Sequence, residues 1–279
     1  MSPSAQSRRT SYFALSRSPR YSVLFALPLL VAYELLAAVL AQPGRELRNG
    51  ADVMLRATFT AVAGQRGPAI FMGAVIFLGV FLVVRDLRVS RGGFRALVFG
   101  GMFVESIALA AAFGIVIGVA TTKLIGSLQM LIIAQDGIQS MDWPTRLMLS
   151  LGAGLYEELF FRVLLVTGLA AAARTLLGVG TRTASVFAVV IGALIFSAFH
   201  YIGPFADPFD LQSFTFRILS GLAFSGLFVL RGFGVTAWTH ALYDSFLLLF
   251  RRVTPRGQAE VEHLNKHLFL PGEFFGKKN

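Results

Sequence analysis

The stretch from Leu97 to Ala134 is apolar for 38 residues. About 20 apolar residues suffice to cross a bilayer once. Similar runs recur along the chain at Tyr21–Ala41, Pro68–Val84, Leu147–Ala173, Ala184–Ile202, Ser213–Leu230 and Val235–Phe250. In hydrocarbon every backbone N–H and C=O must be satisfied within the segment, which leaves helices as the spanning form for runs of this length. The chain therefore reads as an all-α polytopic transmembrane helical bundle. A mean hydropathy of +0.68 with only 14% charged residues excludes an ordinary soluble domain, which carries about 25%. It also excludes disorder, because there is ample apolar surface to bury.

Polar interruptions set the expected organisation. Residues 1–20 hold Arg8, Arg9, Arg17 and Arg20 and read as a basic cytoplasmic arm. A signal peptide competes for the next run, but a signal core is about 7–15 residues and this one is longer. Residues 21–250 form the bundle, and 251–279 is a basic soluble tail. The connector from Gln42 to Arg66 has a middle, Val53–Val62, suited to a short interfacial helix. Thr121, Thr122 and Lys123 interrupt the longest run, and dividing it there gives eight spans; without the division the count is seven. Arg85–Arg95 carries four Arg and one acid, a cytoplasmic signal.

The net charge of +10 resides in short connectors between apolar runs, where orientation and anionic headgroups call for it. Nucleic acid is not an expected partner; the lipid bilayer is. The chain contains no Cys, so disulfides, thiolate metal sites and Cys nucleophiles are excluded.

Ionisable groups inside a bilayer are costly and mark function by default. Glu157, Glu158 and Arg162 share one span, His200 ends the next, and His240 and Asp244 occupy the last. On a helix Glu158 and Arg162 are i and i+4, so one carboxylate can be neutralised while Glu157, turned about 100° away, stays free. His240 and Asp244 also share a face. At 1.5 Å per residue Glu157 lies roughly 10–15 Å deep, and alternating crossings bring His200, His240 and Asp244 to the same half of the membrane. Glu34 and Glu105 have no partner by spacing. His263 and His267 have ligand spacing but sit in a charged tail, which reads as a solvated helix.

Glu157-Glu158-Leu159-Phe160-Phe161-Arg162, Phe196-Ser197-Ala198-Phe199-His200 and His240-Ala241-Leu242-Tyr243-Asp244 match E-E-x-x-x-R, F-x-x-x-H and H-x-x-x-N/D. In this order they resemble the CPBP family of intramembrane proteases (CAAX protease and bacteriocin-processing, or Abi). The resemblance implies an endopeptidase acting on a membrane-associated protein or peptide in a cavity within the bilayer, with its catalytic core in 147–250. It implies Glu157 as the base that activates water with His200, His240 and residue 244 at the oxyanion or water, and Glu158 and Arg162 orienting the site. Asp244 departs from the Asn of the CAAX-processing branch, since an ionised Asp cannot donate to an oxyanion. No cofactor is favoured. Zinc is the alternative, with Glu157, His200, His240 and Asp244 as its ligands. A non-catalytic immunity or scaffold protein and an ion-coupled transporter are the competing functions, and a bacterial inner (plasma) membrane is the expected location.

Overall fold

The computed structural model describes residues 11–42, 47–90, 93–125, 141–202 and 206–250, and all of these are helical or connect helices, apart from a single bridge residue at Gln42. A short helix α1 (Tyr12–Ser16) leads into α2 (Pro19–Val39), which starts with Pro in its first turn, where the missing N–H costs nothing. Then come α3 (Gly50–Ala63), α4 (Gly67–Val89) and α5 (Ala96–Ile125). The span bearing Glu157 and Glu158 runs from α6 (Trp143–Gly152) through a π-helical segment (Ala153–Val166) to α7 (Thr167–Leu176). Helices α8 (Thr181–Phe199), α9 (Leu211–Arg231) and α10 (Phe233–Phe250) close the bundle.

Among the described residues six stretches are long and apolar enough to cross a membrane: 19–39, 50–89, 96–121, 143–176, 181–199 and 211–231. The protein is thus an integral, multi-pass membrane protein. The break expected at Thr121–Lys123 is absent, because α5 continues as one helix to Ile125. Two adjacent Thr and one Lys do not break a helix whose backbone is already hydrogen-bonded, and Thr121 is buried. The remainder of that apolar run, together with His263, His267 and the basic tail, lies outside the described residues.

Within 50–89 the chain doubles back. Gly64 has φ +60°, and a Cβ on Gly67 would stand 2.3 Å from the Thr60 backbone nitrogen. Only glycine allows that approach. Phe59 and Phe71 pack with ring centroids 5.4 Å apart, so α3 and α4 form an antiparallel hairpin. The short helix expected at Val53–Val62 is present within α3, whose first residue lies beside Phe199 at the end of α8.

The two ends of the bundle differ. At one end Arg20 pairs with Asp86 at 3.3 Å, Arg231 pairs with Glu105 at 2.5 Å, and Gly234 packs on Ser22. The helices carrying the six motif residues bring them together toward the other end. Small residues let these helices approach closely: Gly154 lies against Ala237 and Ala241, and Gly221 against Ala193.

Candidate active site

The span bearing Glu157 and Glu158 winds as a π-helix through both of them. Its i→i+5 pattern is visible where the Thr167 N–H bonds the Arg162 carbonyl. Such segments are rare and concentrate at functional sites. The wider turn still keeps Glu158 and Arg162 together, with Arg162 Nη1 3.2 Å from Glu158 Oε1. Both side chains are fully buried. The guanidinium carbon lies 4.6 Å from the Phe196 ring centroid and 5.7 Å from that of Phe224, so aromatic faces add a cation–π attraction to the ion pair.

Glu158 also receives a hydrogen bond from His240 Nδ1 at 2.7 Å. An ionised carboxylate only accepts, so the Nδ1 atom carries the proton. The imidazole stacks on Phe224 at 4.4 Å between ring centroids. Its orientation is therefore fixed from two sides, and Nε2 faces Asp244 Oδ2 at 3.6 Å. That separation is too long for a good hydrogen bond and is an ion pair only when the ring is protonated. His200 holds the Phe196 carbonyl through Nδ1 at 2.9 Å, and its Nε2 makes no hydrogen bond among the described residues.

Glu157 turns away from this group. Its Oε1 accepts from the Asn49 side-chain amide at 2.9 Å, while the carboxylate remains within electrostatic range of His240, His200 and Arg162. Asp244 in turn interacts electrostatically with His240, Glu157 and Glu158. The structure thus brings the six motif residues to one neighbourhood, with one carboxylate locked in an ion pair and the other differently held.

Sequence reasoning missed Asn49, which neither charge nor motif signals. It also left Glu34 and Glu105 without partners. Glu34 Oε1 bonds Arg56 Nη2 and the Tyr156 hydroxyl, each at 2.7 Å, and Glu105 takes Arg231 and the Tyr12 hydroxyl. Burial and the Glu105 carboxylate push the Tyr12 phenol up to about 12, so it stays a donor.

A metal set of three or more His, Asp and Glu side chains is not present among the described residues. Glu158 and the Nδ1 atoms of both histidines are already engaged within the protein. An engaged Nδ1 is compatible with ligation through Nε2, so these bonds do not exclude zinc on Glu157, His200, His240 and Asp244.

The match to known families falls on this region. Residues 139–246 match the family described as type II CAAX prenyl endopeptidase Rce1-like. This segment is Rce1-like. The match includes all six motif residues and supports a membrane-embedded peptide hydrolase, an intramembrane endopeptidase in general terms. Neither a curated protein nor a solved structure matches the chain. The Rce1-like segment contributes the π-helical span and α8 to α10, while Asn49 comes from outside it.

Proposed function

We propose that the protein is a glutamate-type intramembrane endopeptidase, in which Glu157 activates the attacking water against a peptide bond of a membrane-associated protein or peptide. The observation that carries this reading is the unequal treatment of two adjacent carboxylates. Glu158 is neutralised by Arg162 at 3.2 Å and by His240 at 2.7 Å, whereas Glu157 has no cation bonded to it among the described residues. A carboxylate committed to an ion pair is a poor base. One left beside imidazoles in a site of low dielectric suits general-base work.

In this mechanism Glu157 takes a proton from water as the oxygen attacks the carbonyl carbon. His200, whose Nδ1–H is spent on the Phe196 carbonyl, offers Nε2 as an acceptor to orient that water. His240 in its imidazolium form presents Nε2–H to the developing oxyanion, and Glu158 stabilises the positive ring. Asp244, facing the same nitrogen, holds the ring charge between turnovers. The proton on Glu157 then passes to the departing amine. Asp244 thus works through His240 rather than as an oxyanion donor, which accommodates its departure from Asn.

The Rce1-like match favours hydrolysis over an immunity, scaffold or transport role, and a helical bundle is the architecture of a bacterial inner rather than outer membrane. The test of the glutamate mechanism is chelation. Membranes carrying the protein should generate the same protein-dependent peptide ends with and without a strong chelator. Loss on chelation with recovery on added zinc would overturn the mechanism.

A further inference from the structure

We infer that Asn49, on the connection into α3 and outside the family-matched segment, is the positioning residue for Glu157, anchored by a part-buried ionic network drawn from α2, α3 and the connection between them. The inference rests on the reading of Glu157 as the base.

The geometry fixes the direction of the Asn49 amide. Its Oδ1 caps α3 by accepting from the Ala51 N–H at 2.9 Å, so the NH2 group must be the end that meets Glu157. Asn49 itself is held at its backbone, where its N–H donates to the Tyr33 hydroxyl at 3.0 Å. Tyr33 donates onward to Asp52 Oδ2 at 2.9 Å. Asp52, fully buried, is paired with Arg56 at 2.6 Å and Arg48 at 3.0 Å. Both arginines also contact Glu34, at 2.7 and 3.2 Å. Two acids and two arginines balance, so the network carries no net charge into the bundle.

The network closes on the reacting span. Tyr156, the neighbour of Glu157, donates to Glu34 at 2.7 Å. Gly152 leaves the room: a Cβ there would stand 2.5 Å from the Tyr33 ring and 2.8 Å from the Asn49 Cβ. Among the described residues the Asn49 amide makes the one hydrogen bond to Glu157, on Oε1, which leaves Oε2 for water. A charged network four residues wide thus serves to place one neutral donor against one carboxylate. The donor is neutral, so it orients Glu157 without committing it to an ion pair.

The test uses the full chain in lipid vesicles and reads Glu157 without a substrate. Infrared difference spectra of native protein against Glu157→Gln assign the Glu157 carboxyl band. That band should move in Asn49→Ser and in Asn49→Asp, both of which keep the helix cap and remove the amide donor. An unmoved band in either correctly folded variant overturns the inference. In membranes, the Glu157-dependent peptide ends should fall about tenfold or more in Asn49→Ser, the scale of a lost hydrogen bond to a charged group. Peptide ends that persist in Glu157→Gln would sink the reading of Glu157 as base, while the band position still decides the role of Asn49. Ends that vanish in Glu157→Gln yet persist at full level in Asn49→Ser would overturn the positioning role alone.

Discussion

Arg162 and Glu158 offer the sharpest energetic test, because both are wholly buried and their contact is single and short. At 3.2 Å and an effective dielectric of about 20 the attraction is roughly 5 kcal/mol, against several kcal/mol per ion of lost hydration. The pair is therefore near balance, whereas one member alone is not. Replacing Arg162 by Met strands the Glu158 carboxylate, and breaking a buried pair typically costs about 3–5 kcal/mol. The His240 Nδ1–H bond at 2.7 Å remains in that variant and holds the cost to about 3 kcal/mol. The double variant Glu158→Gln with Arg162→Met keeps an acceptor for His240 and removes both charges. It should lie within about 1 kcal/mol of native, giving a coupling of about 2 kcal/mol or more. Reversible unfolding in mixed micelles, run as a double-mutant cycle, measures these differences. A cost below about 0.5 kcal/mol for Arg162→Met, or a double variant as unstable as the single, would refute the reasoning.

Other outcomes follow from close packing and chain path. Gly154→Ala should destabilise the fold by about 2 kcal/mol or more, since its Cβ would stand 2.4 Å from the Ala237 carbonyl oxygen and 2.6 Å from the Ala241 nitrogen; a native unfolding midpoint would contradict the packing of the π-helical segment on α10. The chain has no native Cys, so Thr183→Cys at the start of α8 and Ile202→Cys beyond its end can each be probed with an impermeant maleimide. Only one of the two should label in intact cells; labelling of both would contradict α8 as a span.

Legibility of the site followed sequence distance. The Glu158–Arg162 and His240–Asp244 relations sit at i and i+4, and a helical repeat alone puts such residues on one face. The wider π turn did not undo this. It was itself invisible, since nothing in Ala153–Val166 signals i→i+5 bonding. Asn49 is 108 residues from Glu157, and Arg231 is 126 from Glu105, so spacing rules had no purchase on either contact. The fold shows the same division. Apolar length located the spans at 19–39, 143–176, 181–199 and 211–231 to within four residues at each end, because the bilayer fixes that length, whereas Val235–Phe250 is not among the candidate spans of the described residues. The hairpin of α3 and α4 was not legible, because it turns on the positive φ of Gly64 and the close approach at Gly67. The expected division at Thr121–Lys123 gave polar side chains too much weight against continuing backbone bonds.

In the proposed mechanism every peptide bond is hydrolysed through Glu157. Mass spectrometry of peptide termini, comparing membranes from cells carrying the native chain with those carrying Glu157→Gln at equal abundance, tests it most directly. The account predicts ends that occur only with the native chain and disappear in the variant. The same ends at the same level in both membranes would contradict it.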